Sequence, residues 1–540
     1  MVASKYGVVY TPERLANFAA TLLCNEIADD NFSEINVLDP ACGECALLDS
    51  IKKIKGNEFK YFGIDVDKTA ILSASSEYST INNDTILPKN IRKKTAEFWK
   101  QKLPEINAVI ANPPWSSEKI YNRDDLMDAG FELINGQYDS YVLFLELAYK
   151  IVREDGIFTF IIPDSIFESQ NEKLRRFLTQ NTEIKIIARL GEKLFKEVNR
   201  STTIIVCKKR KPSINSITKC FRLSTNDRKK YLLTDVELID VYKDNVHNVL
   251  QSRFLENPFC NFDVDTRSEE EDLINKIKVE SIHWEDKFNF GRGVEISKAG
   301  KVVICSKCGY AQGYKKLQLE KGEKVCTHCG EKTDVSDDTI KCVISKSKTY
   351  EERLIFVGEN IKRYGIEGGG YINTSVPGIN YKSFDMYDPP KLLIRKTGLG
   401  IYTSIDYTGS MTSQTVYILK LKNNNDKTPL EYYLALLNSR VIYYFYLKVY
   451  GENEWKSHPY LTKKIIYSLP VREYTGSKLD TEIVNLSKEL ATKYNYIKDL
   501  QLEKLICQKY ELSDAEIKLI YNEMNSLPDL GAINNMKVEV

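Results

Sequence analysis

The sequence predicts an α/β protein: a doubly wound, mostly parallel sheet over residues 1–212, then a β-rich region, then a helical C-terminal segment. Three observations predict it. Apolar strand-like runs alternate with amphipathic helix-like runs in the first part, the pattern of helices laid on both faces of a sheet. Those runs end in small or acidic residues, as "LDPACG" and "GIDVD" do. Further on, the runs shorten, glycine and proline punctuate them, and four cysteines stand as two C-x-x-C pairs.

The elements follow in order. In "TPERLANFAATLLCNEIA", Thr11 is the expected N-cap and Pro12 the first helical residue, with Leu15, Phe18, Ala19, Leu22, Leu23 and Ile27 at helical spacing. "INVLDPACG" reads as a buried strand running into a turn, and "CALLDSIKKIK" as the helix after it. "KYFGIDVD", "INAVIANPPW" and "GIFTFIIPD" are further strands; "DSYVLFLELAYKIVRED" is a helix capped by Asp139; "EIKIIARL" and "STTIIVCKK" complete the sheet. Residues 213–284 read as a weakly patterned connecting region, with "SEEED" at Ser268–Asp272 a solvated face or linker. Residues 285–472 are expected to form the β-rich domain. Residues 473–540 turn helical, with a break and a new cap at Ser513.

At 540 residues, two to four domains are expected. With 76 Lys+Arg against 75 Asp+Glu, no global basic field announces a nucleic-acid partner, so any basic patch must be local. The N-terminus has no charged segment followed by an apolar one, and "YVLFLELAY" is about half of the ~20 residues that span a bilayer. A cytoplasmic, nucleoid-associated prokaryotic protein without a membrane partner is therefore expected. Most of the 12 cysteines read as reduced, buried thiols.

In such a sheet, ligands bind beyond the carboxyl ends of the strands. Asp39, Ala41, Cys42 and Gly43 end the first strand in a small-residue turn that lets backbone approach a ligand. Asp65 and Val66 end the second, where a carboxylate suits two ribose hydroxyls. Glu97 and Phe98 offer a polar group and an aromatic face. Asn112-Pro113-Pro114-Trp115 follows another strand. Taken singly, each has an ordinary reading as a turn or a cap; the shared order at the strand ends is the signal.

That order resembles the γ-type S-adenosylmethionine-dependent DNA adenine-N6 methyltransferases, in which cofactor motifs precede the catalytic motif and target recognition is C-terminal. "YTP" at Tyr10, Thr11 and Pro12 is similar to the family's N-terminal cofactor motif, "LDPACGECALL" to its glycine-rich motif, "YFGIDVD" to its ribose-binding acid and "AEFW" to its adenine-binding segment. "NPPW" matches the catalytic tetrapeptide, and "LFKEVNRSTTIIV" resembles the late motif that supplies an aromatic, here Phe195. The resemblance implies a Rossmann-like class I methyltransferase fold with S-adenosylmethionine as cofactor. Asn112 and the Pro113 carbonyl would accept the two N–H groups of the target amine. Trp115 and Phe195 would flank a base taken out of the duplex. The motifs begin at Tyr10, from which modification without cleavage is expected. Two residues depart from the family pattern: Cys45 stands where a second glycine is usual, and Glu97 where aspartate is more frequent.

Cys305, Cys308, Cys326 and Cys329 have the C-x-x-C spacing of a tetrahedral zinc ribbon, and structural zinc is expected there. The region around them resembles the TaqI-like specificity domain of the same methyltransferases. Arg395, Lys396, Ser413, Gln414, Asn438, Ser439, Lys456 and Lys463 are its candidate DNA contacts. Double-stranded DNA is the expected partner, with a separate restriction endonuclease or defence-system subunits as further ones. Two alternatives remain open here: a DNA-binding component with impaired catalysis, and a methyltransferase for cytosine N4 or another planar nitrogen.

Overall fold

Runs of aliphatic and aromatic residues build a nine-stranded sheet. Its strands are β1 (Ile35–Asp39), β2 (Phe59–Asp65), β3 (Ser79–Asn82), β4 (Ile106–Ala111), β5 (Val152–Pro163), β6 (Glu183–Gly191), β7 (Thr202–Lys208), β8 (Ile217–Arg222) and β9 (His247–Leu250). The computed structural model describes residues 10–27, 34–74, 78–89, 91–115, 121–134, 136, 138–195, 200–296, 300–313, 322–348, 352–423, 425–450, 460–527, 530 and 533–538. The strand order is β3-β2-β1-β4-β5-β7-β6-β8-β9. The first five run parallel to one another, β7 runs antiparallel to both β5 and β6, β8 is parallel to β6, and β9 is antiparallel to β8.

Helices cover both faces, which is why β4 and β7 are buried at every position. On one face lie α1 (Glu13–Ile27) and α2 (Ala46–Lys55), whose Leu15, Leu22, Leu47 and Ile51 pack against Val37, Ala108 and Ile110 of the sheet. α3 (Lys68–Ser73) follows β2. On the other face lie α4 (Thr95–Lys102), α5 (Arg123–Asp128), α6 (Tyr141–Ile151) and α7 (Glu172–Asn181), packed on Leu38, Val109 and Phe160. Each fully buried Leu, Ile or Phe contributes about 1.5–3 kcal/mol.

Two expected caps are placed differently. The Pro12 carbonyl accepts from the N–H of Leu15 and Ala16, at 3.0 and 2.9 Å, so Pro12 occupies the cap position of α1 and the Thr11 hydroxyl is spent elsewhere. Asp139 does not cap α6 with its side chain; its carboxylate accepts from Ser165 Oγ at 2.6 Å.

The chain divides into two units, residues 1–271 with 448–456, and residues 272–447 with 457–540. Much of the expected connecting region belongs to the first unit, because β8 and β9 extend its sheet. The acidic run is not all solvated: Glu270 is buried and pairs with Lys448 at 2.9 Å.

The second unit holds two four-stranded sheets. One comprises β10 (Phe288–Arg292), β19 (Lys391–Arg395), β20 (Thr403–Asp406) and β22 (Val416–Leu421), in the order β10-β22-β19-β20. The other comprises β16 (Ile344–Ser345), β17 (Glu352–Phe356), β18 (Gly370–Asn373) and β21 (Met411–Thr412), in the order β16-β18-β17-β21. Between β10 and β16 stand the short strands β11 (Lys301–Ile304), β12 (Ala311–Gly313), β13 (Glu323–Val325), β14 (Lys332–Asp334) and β15 (Ile340–Cys342). The C-terminal helices Lys478–Thr492, Tyr496–Lys509 and Asp514–Ser526 belong to this same unit. Ser513 caps the last of them in a capping box with Glu516. A buried charge cluster ties them in: Asp499 receives Arg363 at 2.6 Å and Arg440 at 3.0 Å, and Glu503 receives Arg440 at 3.2 Å.

Candidate functional site

A cleft of about 290 Å³ opens where β1, β2 and β4 end. Asp39, Pro40, Ala41, Cys42 and Gly43 form its floor. Asp65 and Val66 come from the end of β2, Asn112 and Pro114 from the end of β4, and Tyr10 and Thr11 from the approach to α1. Glu44, with Ala46 and Leu47 at the start of α2, and Asp84, Thr85, Tyr121, Ser140 and Phe144 complete the lining.

The floor is a tight turn. Cys45 N donates to the Cys42 carbonyl at 2.7 Å, and Gly43 sits at φ +50°. Gly43 N donates to Asp65 Oδ2 at 2.7 Å and Asp67 N to Asp65 Oδ1 at 2.8 Å, so one carboxylate joins the ends of two strands. Asp39 is 1% exposed and accepts from Ala41 N at 3.0 Å. Burial, reinforced by the charge of Asp65, pushes its carboxyl up to about 8.

Cys45 adopts φ +68° and is fully buried. A left-handed residue with a Cβ costs roughly 1–2 kcal/mol, which explains why glycine is usual here. Glycine would remove that strain, but it would lose a buried thiol and gain unfolded-state freedom of about 0.4–1 kcal/mol. These effects nearly cancel, so Cys45→Gly should shift stability by less than about 1 kcal/mol in urea unfolding. Cys45→Val, β-branched at a left-handed position, should destabilise by more than about 2 kcal/mol.

Asn112 is held in the cleft by Thr11: its Nδ2 donates to Thr11 Oγ1 at 2.9 Å, which turns the side-chain oxygen away from Thr11. Pro113 is buried and Trp115 is 5% exposed; neither lines the cleft. The carbonyls of Pro114 and Trp115 accept from Ser140 Oγ and Arg200 Nη1. Trp115 and Phe195 do come together, but edge to face, with centroids 4.9 Å apart and planes at 79°. A base stacked between two rings needs roughly 7 Å, twice the ~3.5 Å contact distance between carbons. In this arrangement the two rings fill that slot themselves.

The structure does not bring Glu97 and Phe98 to the cleft. Both lie on α4, where Glu97 lines a separate depression with Gly130 and Phe131. The reason is Trp99: its indole is buried under the sheet and donates to the Thr85 carbonyl at 2.8 Å, which sets α4 behind the cleft wall. The cleft takes a different acid on that side, Asp84, from "INNDTIL" at the end of β3. It accepts from Ile86 N at 2.8 Å, Leu87 N at 3.0 Å and the Tyr121 hydroxyl at 3.1 Å. Its position one strand past Asp65 was the available sequence signal.

In the second unit, the four cysteine sulfurs lie within 4.8 Å of one another. Cys305 and Cys329 are 3.6 Å apart, Cys308 and Cys326 3.7 Å. A tetrahedron of ~2.3 Å zinc–sulfur bonds has edges of about 3.8 Å, so the quartet fits zinc. Backbone amides of Cys308 and Lys307 point at the Cys305 sulfur and lower its pKa. His328, between two ligands in sequence, stacks on Tyr310 at 5.0 Å.

The candidate DNA contacts separate into two groups. Asn438 and Ser439 are buried: the Asn438 amide bridges Thr403 N and the Thr403 carbonyl, at 3.1 and 2.9 Å, and Ser439 Oγ accepts from Ile442 N at 3.1 Å. They hold the backbone, not a partner. Ser413 is also buried, and Gln414 half-buried. Lys463 is exposed and lies over Tyr467 at 4.8 Å; Lys396 lies over Tyr417 at 5.8 Å and Arg395 over Tyr402 at 5.5 Å. Exposed Arg292, opposite Tyr417 in the β10–β22 ladder, joins Lys396 and Lys463 on one basic and aromatic face. Burial and the Arg292 charge lower the Lys396 pKa. Lys456 lies outside the described residues.

The strand order, with β7 inserted antiparallel between β5 and β6, and the cleft at the carboxyl ends of the parallel strands define a class I methyltransferase fold. Residues 1–291 match the N-6 DNA methylase family, and residues 353–471 match the TaqI-like C-terminal specificity domain. The chain belongs to the N-6 DNA methylase family. It is 27% identical over 194 residues to the uncharacterized protein YtxK of Bacillus subtilis, covering 34% of this chain and 54% of that one. It is 28% identical over 240 residues to the type I restriction enzyme MjaVII methylase subunit of Methanocaldococcus jannaschii, covering 38% and 37%. The chain thus spans about half, and little more than a third, of these relatives. Among solved structures, the ATP-dependent type ISP restriction-modification enzyme LlaBIII bound to DNA aligns over 91% of this chain and 40% of its own, with a TM-score of 0.50 at 12% identity. At that identity the likeness is one of fold. The cysteine quartet falls between the two matched regions.

Proposed function

We propose that this chain is a sequence-specific methyltransferase that moves a methyl group from S-adenosylmethionine to N6 of an adenine turned out of duplex DNA. The observation that supports it most is Asn112, oriented by Thr11 at the rim of a cleft shared with Asp39, Gly43 and Asp65. When bound, S-adenosylmethionine supplies a methyl already activated for displacement. An exocyclic amine is a poor nucleophile because its lone pair is delocalised into the ring. The chain's task is therefore to aim that lone pair. The Asn112 side-chain oxygen and the Pro113 carbonyl would accept its two N–H groups, and the prolines preorganise both acceptors. Asp65 and Val66 would take the cofactor's ribose, and Asp84 with Tyr121 its adenine. Trp115 and Phe195 would flank the target base after their rings separate. Arg292, Arg395, Lys396, Gln414 and Lys463 would meet phosphates and base edges. Zinc, held by Cys305, Cys308, Cys326 and Cys329, would have a structural role.

Incubation with labelled S-adenosylmethionine and unmethylated bacterial DNA should transfer label, and methylation-sensitive sequencing should place it on adenine in a fixed motif. No transfer under any condition would sink the enzyme reading, and label on cytosine N4 would replace adenine as the target.

Asp39 makes the cofactor's affinity depend on pH. In the free protein its carboxyl sits near 8, so at pH 7 it is mostly protonated. A bound sulfonium cation favours the carboxylate and lowers that pKa. Binding then releases a proton, and affinity should rise with pH by up to about tenfold per unit until about pH 8, then level off. Titration calorimetry across pH 6–9 checks this. Asp39→Asn should flatten the rise, and an unchanged slope in that variant would rule Asp39 out as its source.

A further inference from the structure

We infer that Arg200 is a positioning residue for methyl transfer, one that holds the Asn112–Trp115 turn from outside the cofactor cleft; this rests on the proposed role of Asn112. Three elements converge on the turn. From the approach to β7, Arg200 Nη1 donates to the Trp115 carbonyl. From the start of α6, Ser140 Oγ donates to the Pro114 carbonyl. From the end of β5, the Ile161 carbonyl receives Trp115 Nε1 at 3.4 Å. The guanidinium does not stand alone: Asp139 Oδ1 lies 4.0 Å from Arg200 Nη2, and its other oxygen is held by Ser165 Oγ at 2.6 Å. Asp139 is buried and Arg200 is partly exposed, so the carboxylate anchors the cation that grips the turn.

Two successive carbonyls of the tetrapeptide are thus engaged by side chains remote in sequence. A turn with two prolines has few backbone N–H groups of its own with which to fix itself. Outside donors therefore set the direction in which Asn112 and the Pro113 carbonyl present their oxygens. Arg200 does not line the cofactor cleft, so its grip serves the alignment of the methyl acceptor and leaves the cofactor's seat alone.

The test uses the full chain, labelled S-adenosylmethionine and unmethylated genomic DNA. Arg200→Met should lower kcat by roughly 30- to 100-fold, the scale of a small misalignment of reacting groups. Cofactor Kd should stay within about twofold and the KM for DNA within about threefold. Arg200→Lys, which keeps one donor, should recover part of the loss. An unchanged kcat would overturn the inference; so would a rise in DNA KM alone, the mark of a phosphate contact, or an equal loss of cofactor affinity, the mark of general damage. Should Arg200→Met unfold, Arg200→Lys and Ser140→Ala carry the test: their kcat losses are expected to be coupled in the double variant, and simple additivity would overturn the shared brace. Asn112→Ala in the same assay separates the two readings. If it abolishes transfer while the Arg200 variants behave as wild type, only the role of Arg200 fails; if it retains activity, the assignment of Asn112 fails first.

Discussion

Asn112→Ala should lower methyl transfer by about 10²–10³-fold while S-adenosylmethionine still binds, the scale on which losing one preorganised polar group slows an enzyme. The variant deletes the acceptor that Thr11 orients and leaves Asp39, Gly43, Asp65 and Asp84 in place around the cleft. Single-turnover transfer beside calorimetric cofactor binding separates the two effects. Asn112→Asp keeps an acceptor but adds a charge that a neutral Thr11 hydroxyl answers only in part, so it should fall between wild type and Ala. Transfer at the wild-type rate in Asn112→Ala would refute the role given to this residue.

Removing the zinc proposed for the cysteine quartet should have the second large effect. The cysteine quartet is not a pendant knob. β11 leads into Cys305 and β12 follows Cys308, and their Val302 and Ala311 pack in one core with Ile355, Ile372, Leu393 and Ile418. Ala311 N also donates to the Pro377 carbonyl at 2.8 Å, and Gly378 approaches Ala311 so closely that a Cβ there would meet its carbonyl oxygen at 2.3 Å. Loosening the knuckles therefore reaches the sheets beneath the basic face. A loss of about 4 kcal/mol in a unit of this size corresponds to a fall in Tm of roughly 10 °C. Cys326→Ser, or a strong chelator, should produce that fall and weaken DNA binding. Cofactor binding should persist, because residues of the first unit alone line the cleft. Elemental analysis that found no zinc in the native protein, with melting unmoved by chelation, would return the quartet to four reduced thiols.

The sheet and much of the cleft were legible in the chain. Asp39, Gly43, Asp65 and Asn112 lie together because strand ends in a doubly wound sheet all face one crevice, so their order along the sequence maps onto one edge. The cysteine spacing likewise brings the four sulfurs to tetrahedral distances. Less visible were β8 and β9: they end an edge of the sheet, and positions such as Ile217 and Leu250 are exposed, so their apolar pattern is weak.

By itself, then, the sequence determined the order of the motifs, the strand ends that carry them and the cysteine quartet whose geometry fits zinc, because each depends on local spacing. The tertiary structure alone decided between Asp84 and Glu97. Both are acids beside apolar residues, and only the buried indole of Trp99, seated on the Thr85 carbonyl, puts one in the cleft and the other behind it. It also decided that Asn438 and Ser439 brace buried backbone while Arg292, Lys396 and Lys463 gather on a basic and aromatic face. A polar side chain reads the same in a sequence whether it faces solvent or a backbone amide; burial separates the two, and burial is set by residues far away in the chain.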